Sequence, residues 1–337
     1  MTNNIKKPYL IDVPVLLIFF NRPKCLKQVF EVVKEARPST LFLYQDGVRE
    51  GNKSDLEGVE GCREIVEDID WDCTVYKLFQ TKNYGCDPSE FIAQKWAFNH
   101  VDKCIILEDD DVPAQSFFPF CKILLDKYEH DTRINMICGM NNLEKWDTPY
   151  SYLFTEAGSI WGWATWKRVA DEWDDNYGLF NNDYCVDLLD KELNIKELDG
   201  KNKLKYWKKH ADTHVAYYES ILSIGQLTSH RLNIVPSYNM ITNIGNLYEG
   251  GTHSVAGLEM IPAGLRRLFT MKRYEIAFPL KDPPYVIPDN SYTQKLYRLM
   301  GVNHPFVRFY RQVEKVILIL RHRGIKEIVR KYKGKKL

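Results

Sequence analysis

At 337 residues the chain is too long for one minimal core and suits a large α/β domain with additions. Hydrophobic residues at 45% and charged residues at 27% exclude a disordered chain as the starting expectation. The net charge of +1 hides an asymmetry: from Lys295 to Leu337 there are 13 Lys/Arg against Glu314 and Glu327, so the preceding body is acidic. An acidic body argues against nucleic acid as a partner, whereas a basic tail suits an anionic surface such as a membrane.

None of the eight cysteines sits in a C-x-x-C spacing, so no zinc site is expected. Several lie inside apolar runs, where a free thiol behaves as a small hydrophobe. The N-terminal apolar run, Val13 to Phe20, is too short to span a membrane and lacks a cleavage pattern. The expected location is the cytoplasm, with reduced thiols and peripheral association with the inner face of the membrane.

In chain order, Val13–Phe20 predicts a strand, followed by the turn Asn21-Arg22-Pro23 and a helix over Leu26–Ala36. Leu41–Tyr44 predicts a second strand ending at Gln45-Asp46-Gly47, then a helix over Asp55–Ile69. Thr74–Phe79 predicts a third strand leading into Lys82-Asn83-Tyr84-Gly85, and Pro88–Asn99 a helix. A fourth strand over Cys104–Leu107 runs into Glu108-Asp109-Asp110-Asp111. A helix over Phe117–Glu129 and a strand over Asn135–Cys138 follow. This alternation predicts a mainly parallel, Rossmann-like sheet covered on both faces. Further on the pattern loosens. Gly158–Trp166 is rich in Gly and Trp, Ile221–Pro236 reads as helix then strand, and Ile244–Ser254 reads as a loop. Pro279–Pro288, with four prolines, reads as a linker.

The sharpest feature is the run of four acids directly after an apolar strand. In open α/β sheets ligands bind beyond the carboxyl ends of the strands, and hard divalent cations take carboxylate oxygen while leaving positions for phosphate. The bland alternative is a solvated acidic turn at a helix start. Asn21 and Arg22 end the first strand and Asp46 the second, so three strand ends would carry Arg, Asp and the acid run together. Arg22 could pair with a phosphate, and Asp46 could accept hydrogen bonds from a base or ribose. Each alone is an ordinary turn residue; jointly they describe a nucleotide site with a metal.

The order Asn21-Arg22-Pro23, Gln45-Asp46-Gly47, Lys82-Asn83-Tyr84-Gly85 and Leu107-Glu108-Asp109-Asp110, with Phe117-Phe118 just after, resembles the GT-A glycosyltransferases. The closest likeness is to the N-acetylglucosaminyltransferase I-like group and its bacterial polysaccharide relatives. It covers roughly residues 10–255 and is strongest over 10–140. Glu-Asp-Asp would be this group's form of the D-x-D motif. The resemblance implies that Asp110 ligates Mn²⁺ or Mg²⁺, that Asp109 contacts the ribose or sugar, and that Glu108 contacts the nucleotide ribose or donor sugar. It implies that Arg22 and Asp46 hold uridine diphosphate, with Lys82, Tyr84 and Gly85 beside them. Asp111 is one acid more than the motif needs and leaves its register open by one. Ser159–Trp166 is similar to the Gly-Trp segment that lines donor sugar and acceptor, which nominates Trp163; a packed core Trp is the alternative. Glu219, at the spacing of the group's catalytic acid, is the candidate base, although the group's Trp-Asp-Asp is absent there. Asp212 and Asp174-Asp175 are its rivals. Asn243–Ser254 resembles the group's closing loop, with His253 a candidate phosphate or metal contact. His210 and His214 lack the glutamate of a zinc motif and read as structural.

The expected organisation is a nucleotide-sugar-binding half over 1–140, an acceptor-binding and catalytic half over 141–278, and a linker with a basic amphipathic helical tail over 279–337. The expected reaction is metal-dependent, inverting transfer from a UDP-sugar, GlcNAc or Gal, to a glycan acceptor, carried on a polyprenyl diphosphate, in bacterial surface polysaccharide synthesis. The tail alternates apolar and cationic residues, the composition of a helix lying in a membrane interface; a solvated terminal helix packed on the body is the alternative. Two other functions compete. A sugar-nucleotide nucleotidyltransferase would ordinarily carry a Gly-rich basic loop after the first strand, and Asn21-Arg22-Pro23 has no glycine. A non-catalytic membrane-surface binder would act through the tail alone.

Overall fold

The computed structural model describes residues 6–196, 200–246, 258–302 and 304–324, and the side chains of 195, 196, 200, 201 and 323 are not described. The first half alternates β1 (Ile11–Phe19), α1 (Pro23–Ala36), β2 (Pro38–Gln45), α2 (Lys53–Val66), β3 (Thr74–Phe79), α3 (Cys86–Phe98) and β4 (Lys103–Glu108). Next come β5 (Asp111–Pro113), α4 (Phe117–Lys127), β6 (Ile134–Cys138), β7 (Tyr152–Thr155), β8 (Trp163–Trp166) and α5 (Lys167–Ala170). The remainder holds α6 (Asp183–Lys196), α7 (Gly200–Thr213), α8 (Tyr218–Thr228), β9 (Leu232–Pro236), β10 (Ile241–Asn243), α9 (Ala263–Arg266), α10 (Asn290–Met300) and α11 (Pro305–Arg323).

Eight strands form one sheet in the order β3-β2-β1-β4-β8-β6-β9-β7. The β3-β2-β1-β4 half is parallel throughout, and β1 registers Val15 against Leu41 on one side and Ile105 on the other. Val15, Leu16, Leu17, Ile105 and Leu107 are fully buried, which is why these strands read as unbroken apolar runs rather than as alternation. Chain order reverses between β1 and β4, and that reversal is a topological switch point where a crevice opens beyond the strand ends.

The second half departs from the expected parallel pattern. β8 runs antiparallel to both β4 and β6, and β7 runs antiparallel to β9. The fold is therefore a mixed α/β sheet, Rossmann-like in its first half, and flanked by helices. The Pro279–Pro288 stretch, expected as a linker, packs along β7 instead. Tyr152 donates to Asp282 at 2.8 Å, and the backbone N–H of Asp289 donates to the carbonyl of Phe154 at 2.7 Å. Tyr292 and Leu296 of α10 belong to the main core. A small antiparallel ribbon of β5 and β10 follows the carboxyl end of β4.

Candidate active site

Pro23 starts α1 one residue after Arg22, and its missing N–H costs nothing in the first helical turn. Arg22 is thereby held at the end of β1, facing the end of β4. Its guanidinium pairs with Asp109 through Nη2 and Nε and with Asp110 through Nη2 at 2.7 Å. The acids left in register by the sequence separate here. Asp111 belongs to β5 and is fully buried, accepting from the backbone N–H of Gly162 at 2.8 Å and from the Asn243 amide at 3.1 Å. Asp111 is thus a structural acid, and Asp109 and Asp110 are the pair that meets Arg22.

β10 completes this wall. The Asn243 amide also donates to Asp110 at 2.8 Å, and the Ile244 N–H donates to the Asp110 carbonyl at 2.9 Å. A Cβ at Gly245 would overlap a carboxylate oxygen of Asp110, so the chain passes close because this residue has no side chain.

Around Arg22 negative charge is in excess. Burial, with neighbouring acids, pushes the Glu108 carboxyl well up. Burial pushes Asp109 up to about 6 against the opposing pull of Arg22, and Glu90 up to about 8. Glu90 is a residue the sequence does not single out. It sits in the first turns of α3, is buried, and accepts from Gln94 at 3.2 Å. Nothing in a helical Glu at an i,i+4 spacing from Gln marks it as part of a strand-end crevice.

Asp46 takes a different place from the one expected. Its carboxylate accepts from the Gly47 N–H at 2.9 Å, the Asn83 amide at 2.9 Å, the Tyr84 N–H at 2.9 Å and the Gly85 N–H at 3.0 Å. Four donors fill the usual acceptor capacity of a carboxylate. In this arrangement Asp46 ties the end of β2 to the Lys82–Gly85 turn and has none left for a base or ribose. Gly85, at φ +86°, gives the turn its left-handed bend into α3. Lys82 lies over the half-exposed Tyr84 ring at 5.5 Å from its centre. Asn21 donates to Asp55 at 2.8 Å, and Arg49 pairs with the same carboxylate at 2.6 Å.

One space adjoins these residues and a second lies beyond them. A pocket of about 180 Å³ lies among Phe20, Asn21, Arg22, Asp46, Asn83, Gly85, Glu90, Glu108 and Asp109. A larger cavity of about 830 Å³ is lined by Glu156–Trp161, Tyr206, Glu219, Gln226, Asn233, Tyr297 and others. Glu219, exposed in the first turn of α8, lines this cavity; burial raises both Cys86 and Tyr218, and the charges of Glu108, Glu90 and Glu219 add to it. The candidate base therefore stands between cavity and crevice. Its rivals are placed elsewhere: Asp174 caps a turn through the Asn176 and Gly178 N–H groups, and Asp212 is exposed on α7. His210 stacks on Tyr217 at 3.7 Å and bonds Ser220 at 2.8 Å.

Trp163 does not offer a face to a ligand. It is 2% exposed in β8, with its ring against Trp173. Trp161 is the tryptophan that lines the cavity, beside Phe269. Gly162, at φ +61°, turns the chain between the two, so strand alternation does not carry across. His253 lies outside the described residues.

Asp109 and Asp110 present oxygen donors converging on one guanidinium nitrogen, the donor chemistry a hard cation takes. Among the described residues no group of three His, Cys, Asp or Glu side chains could hold a metal. A divalent cation here would rest on these carboxylates and complete its shell with ligand phosphate and water, as magnesium and manganese sites do.

No protein-family model matches the chain, and no curated protein matches it. Among solved structures it is similar to an apo UDP-glucose pyrophosphorylase, at 9% identity over 68% of this chain and 93% of that one, with a TM-score of 0.34. It is also similar to a 4-diphosphocytidyl-2C-methyl-D-erythritol synthase from Anaerococcus prevotii, at 10% identity over 48% and 73% of the two chains, TM-score 0.30. An inositol-1-phosphate CTP transferase from T. maritima gives 10% identity over 48% and 74%, TM-score 0.29. Overlap this slight does not choose an activity.

Proposed function

We propose that the crevice at the β1/β4 switch point binds the diphosphate of a nucleotide sugar, and that the chain transfers the sugar to a hydroxyl acceptor. The observation that carries this reading is Arg22 held against Asp109 and Asp110, with Arg22 and Asp109 lining a base-sized pocket at the strand ends. Arg22 would swing from the carboxylates to the diphosphate, for which a guanidinium fork is well shaped. Asp110, with Asp109, would hold Mn²⁺ or Mg²⁺, and that ion when bound supplies neutralisation of charge on the leaving diphosphate. The pocket at Phe20 and Asn83 would take the nucleoside. The cavity, with Trp161 and amide side chains on its walls, would take a glycan acceptor. Glu219 would accept the proton of the attacking hydroxyl as its oxygen bonds the anomeric carbon and the bond to the diphosphate breaks. UDP-GlcNAc or UDP-Gal is favoured as donor by the sequence likeness alone.

Nucleotidyl transfer is the second reading, because Arg22 directly after β1 could equally grip a triphosphate. Calorimetry of UDP with Mn²⁺, with chelator, and in Asp110→Ala tests the first. Binding that needs both metal and Asp110 supports it, and binding indifferent to both sinks it. Incubation with a sugar 1-phosphate and UTP separates the two readings: release of pyrophosphate would replace glycosyl transfer with nucleotidyl transfer.

A further inference from the structure

The outer face of α11 is apolar and faces solvent. Phe306 is 88% exposed and Phe309 and Tyr310 are each 67% exposed, and Val313, Ile317 and Leu320 are exposed as well. These six recur at intervals that place them on one stripe of the helix. The helix is not free to turn the stripe inward. Arg311 donates to the Leu299 carbonyl, Glu314 accepts from the Ala263 N–H at 2.8 Å, and Leu318 and Ile319 are buried. A contiguous exposed patch of this kind marks a docking surface rather than ordinary surface scatter.

Charge selects the occupant. Along α11, with Arg311 and Glu314 turned to the body, Arg308, Lys315, Arg321 and Arg323 remain, and the helix carries no further acid to offset them. A second, equally basic copy laid on the stripe would bring like charges together. Anionic headgroups would neutralise them while the acyl boundary takes the rings. Among the described residues no helix is long and apolar enough to cross a membrane, so α11 would lie on the surface. We infer that α11 docks the protein on an anionic lipid surface through the Phe306–Leu320 stripe. This inference stands apart from the proposed chemistry, since lipid binding needs neither nucleotide nor metal.

Sedimentation of the full chain with phosphatidylcholine vesicles, with and without phosphatidylglycerol, tests it. Binding is expected only when phosphatidylglycerol is present, weakening as salt rises. Phe309→Ser combined with Ile317→Ser should lower the binding constant by roughly tenfold or more, with an unchanged melting temperature reporting an intact body. Three results would overturn the inference: no sedimentation at low salt, sedimentation equal for folded variant and wild type, or a dimer in light scattering that the substitutions dissolve without any vesicle binding.

Discussion

Arg22 is the residue on which both the packing of the crevice and its proposed ligand chemistry depend. It is the cation between Asp109 and Asp110, all three largely buried. Removing one partner of a buried ion pair leaves uncompensated charge, a loss of about 3–5 kcal/mol. Arg22→Ala should therefore lower the melting temperature, and Mn²⁺ should restore more of it in the variant than it adds to the wild type, because the ion would occupy the vacated place between two carboxylates. Thermal unfolding with and without Mn²⁺ reads both effects. An unchanged melting temperature would mean that the pair contributes nothing to the fold. Arg22 and the two acids were legible as strand-end residues, since a short apolar run followed at once by a charged turn locates itself. Their division of labour was not. Asn243 donates to both Asp110 and Asp111; what separates them is that Arg22 reaches Asp110 while the Gly162 N–H, from a turn distant in sequence, reaches Asp111. Asp46 likewise looked available because its four donors lie in its own turn and in residues 83–85, which only the β2–β3 pairing brings alongside.

Among the elements, the parallel half was readable to within a few residues because each strand is a buried apolar run closed by a turn. β7 and β8 were not, since each is four residues long and paired with strands distant in sequence. Ala164 registers with Ile105 on one side and Ile137 on the other, so Trp163–Trp166 is core, and only Trp161 before it faces the cavity. The start of α2 shows how one side chain fixes several elements. Asp55 accepts from Asn21 after β1 and from Arg49 after β2. The Arg49 hydrogen bond is the main reason its carboxyl is held below the usual value of 3.8. A depressed folded pKa means that the unfolded chain binds the proton first, so the stabilisation is present above pH 3.8 and is lost as pH falls through the folded value. Asp55→Asn should be less stable than wild type in urea melts near neutrality, and the gap should narrow below about pH 4. A gap constant with pH would assign Asp55 a purely packing role.

At the scale of the whole molecule the charge is segregated: an acidic crevice in the body, and cations gathered on and after α11. The same segregation that would draw the protein to a lipid surface leaves the crevice with more acids than cations, and burial there raises the carboxyls of Glu90, Glu108 and Asp109. Glu90 states it most directly. Burial, reinforced by Asp109 and Asp110, lifts its carboxyl from 4.5 to about 8. The sign is opposite to that of Asp55. Between those two values the folded chain holds a proton that the unfolded chain has released, so stability falls as pH rises from about 5 toward 8. Glu90→Gln keeps the shape and the hydrogen-bonding partner of a protonated acid and removes its titration. The variant should match the wild type near pH 5 and exceed it progressively toward pH 8 in melting temperature, flattening the profile that the wild type shows. Because a bound divalent cation would favour ionised acids in the crevice, Mn²⁺ should also flatten the wild-type profile while leaving that of Glu90→Gln nearly as it was. If the two proteins show parallel profiles without metal, Glu90 is ionised throughout, and the excess charge of the crevice is compensated by a group other than a proton on this side chain.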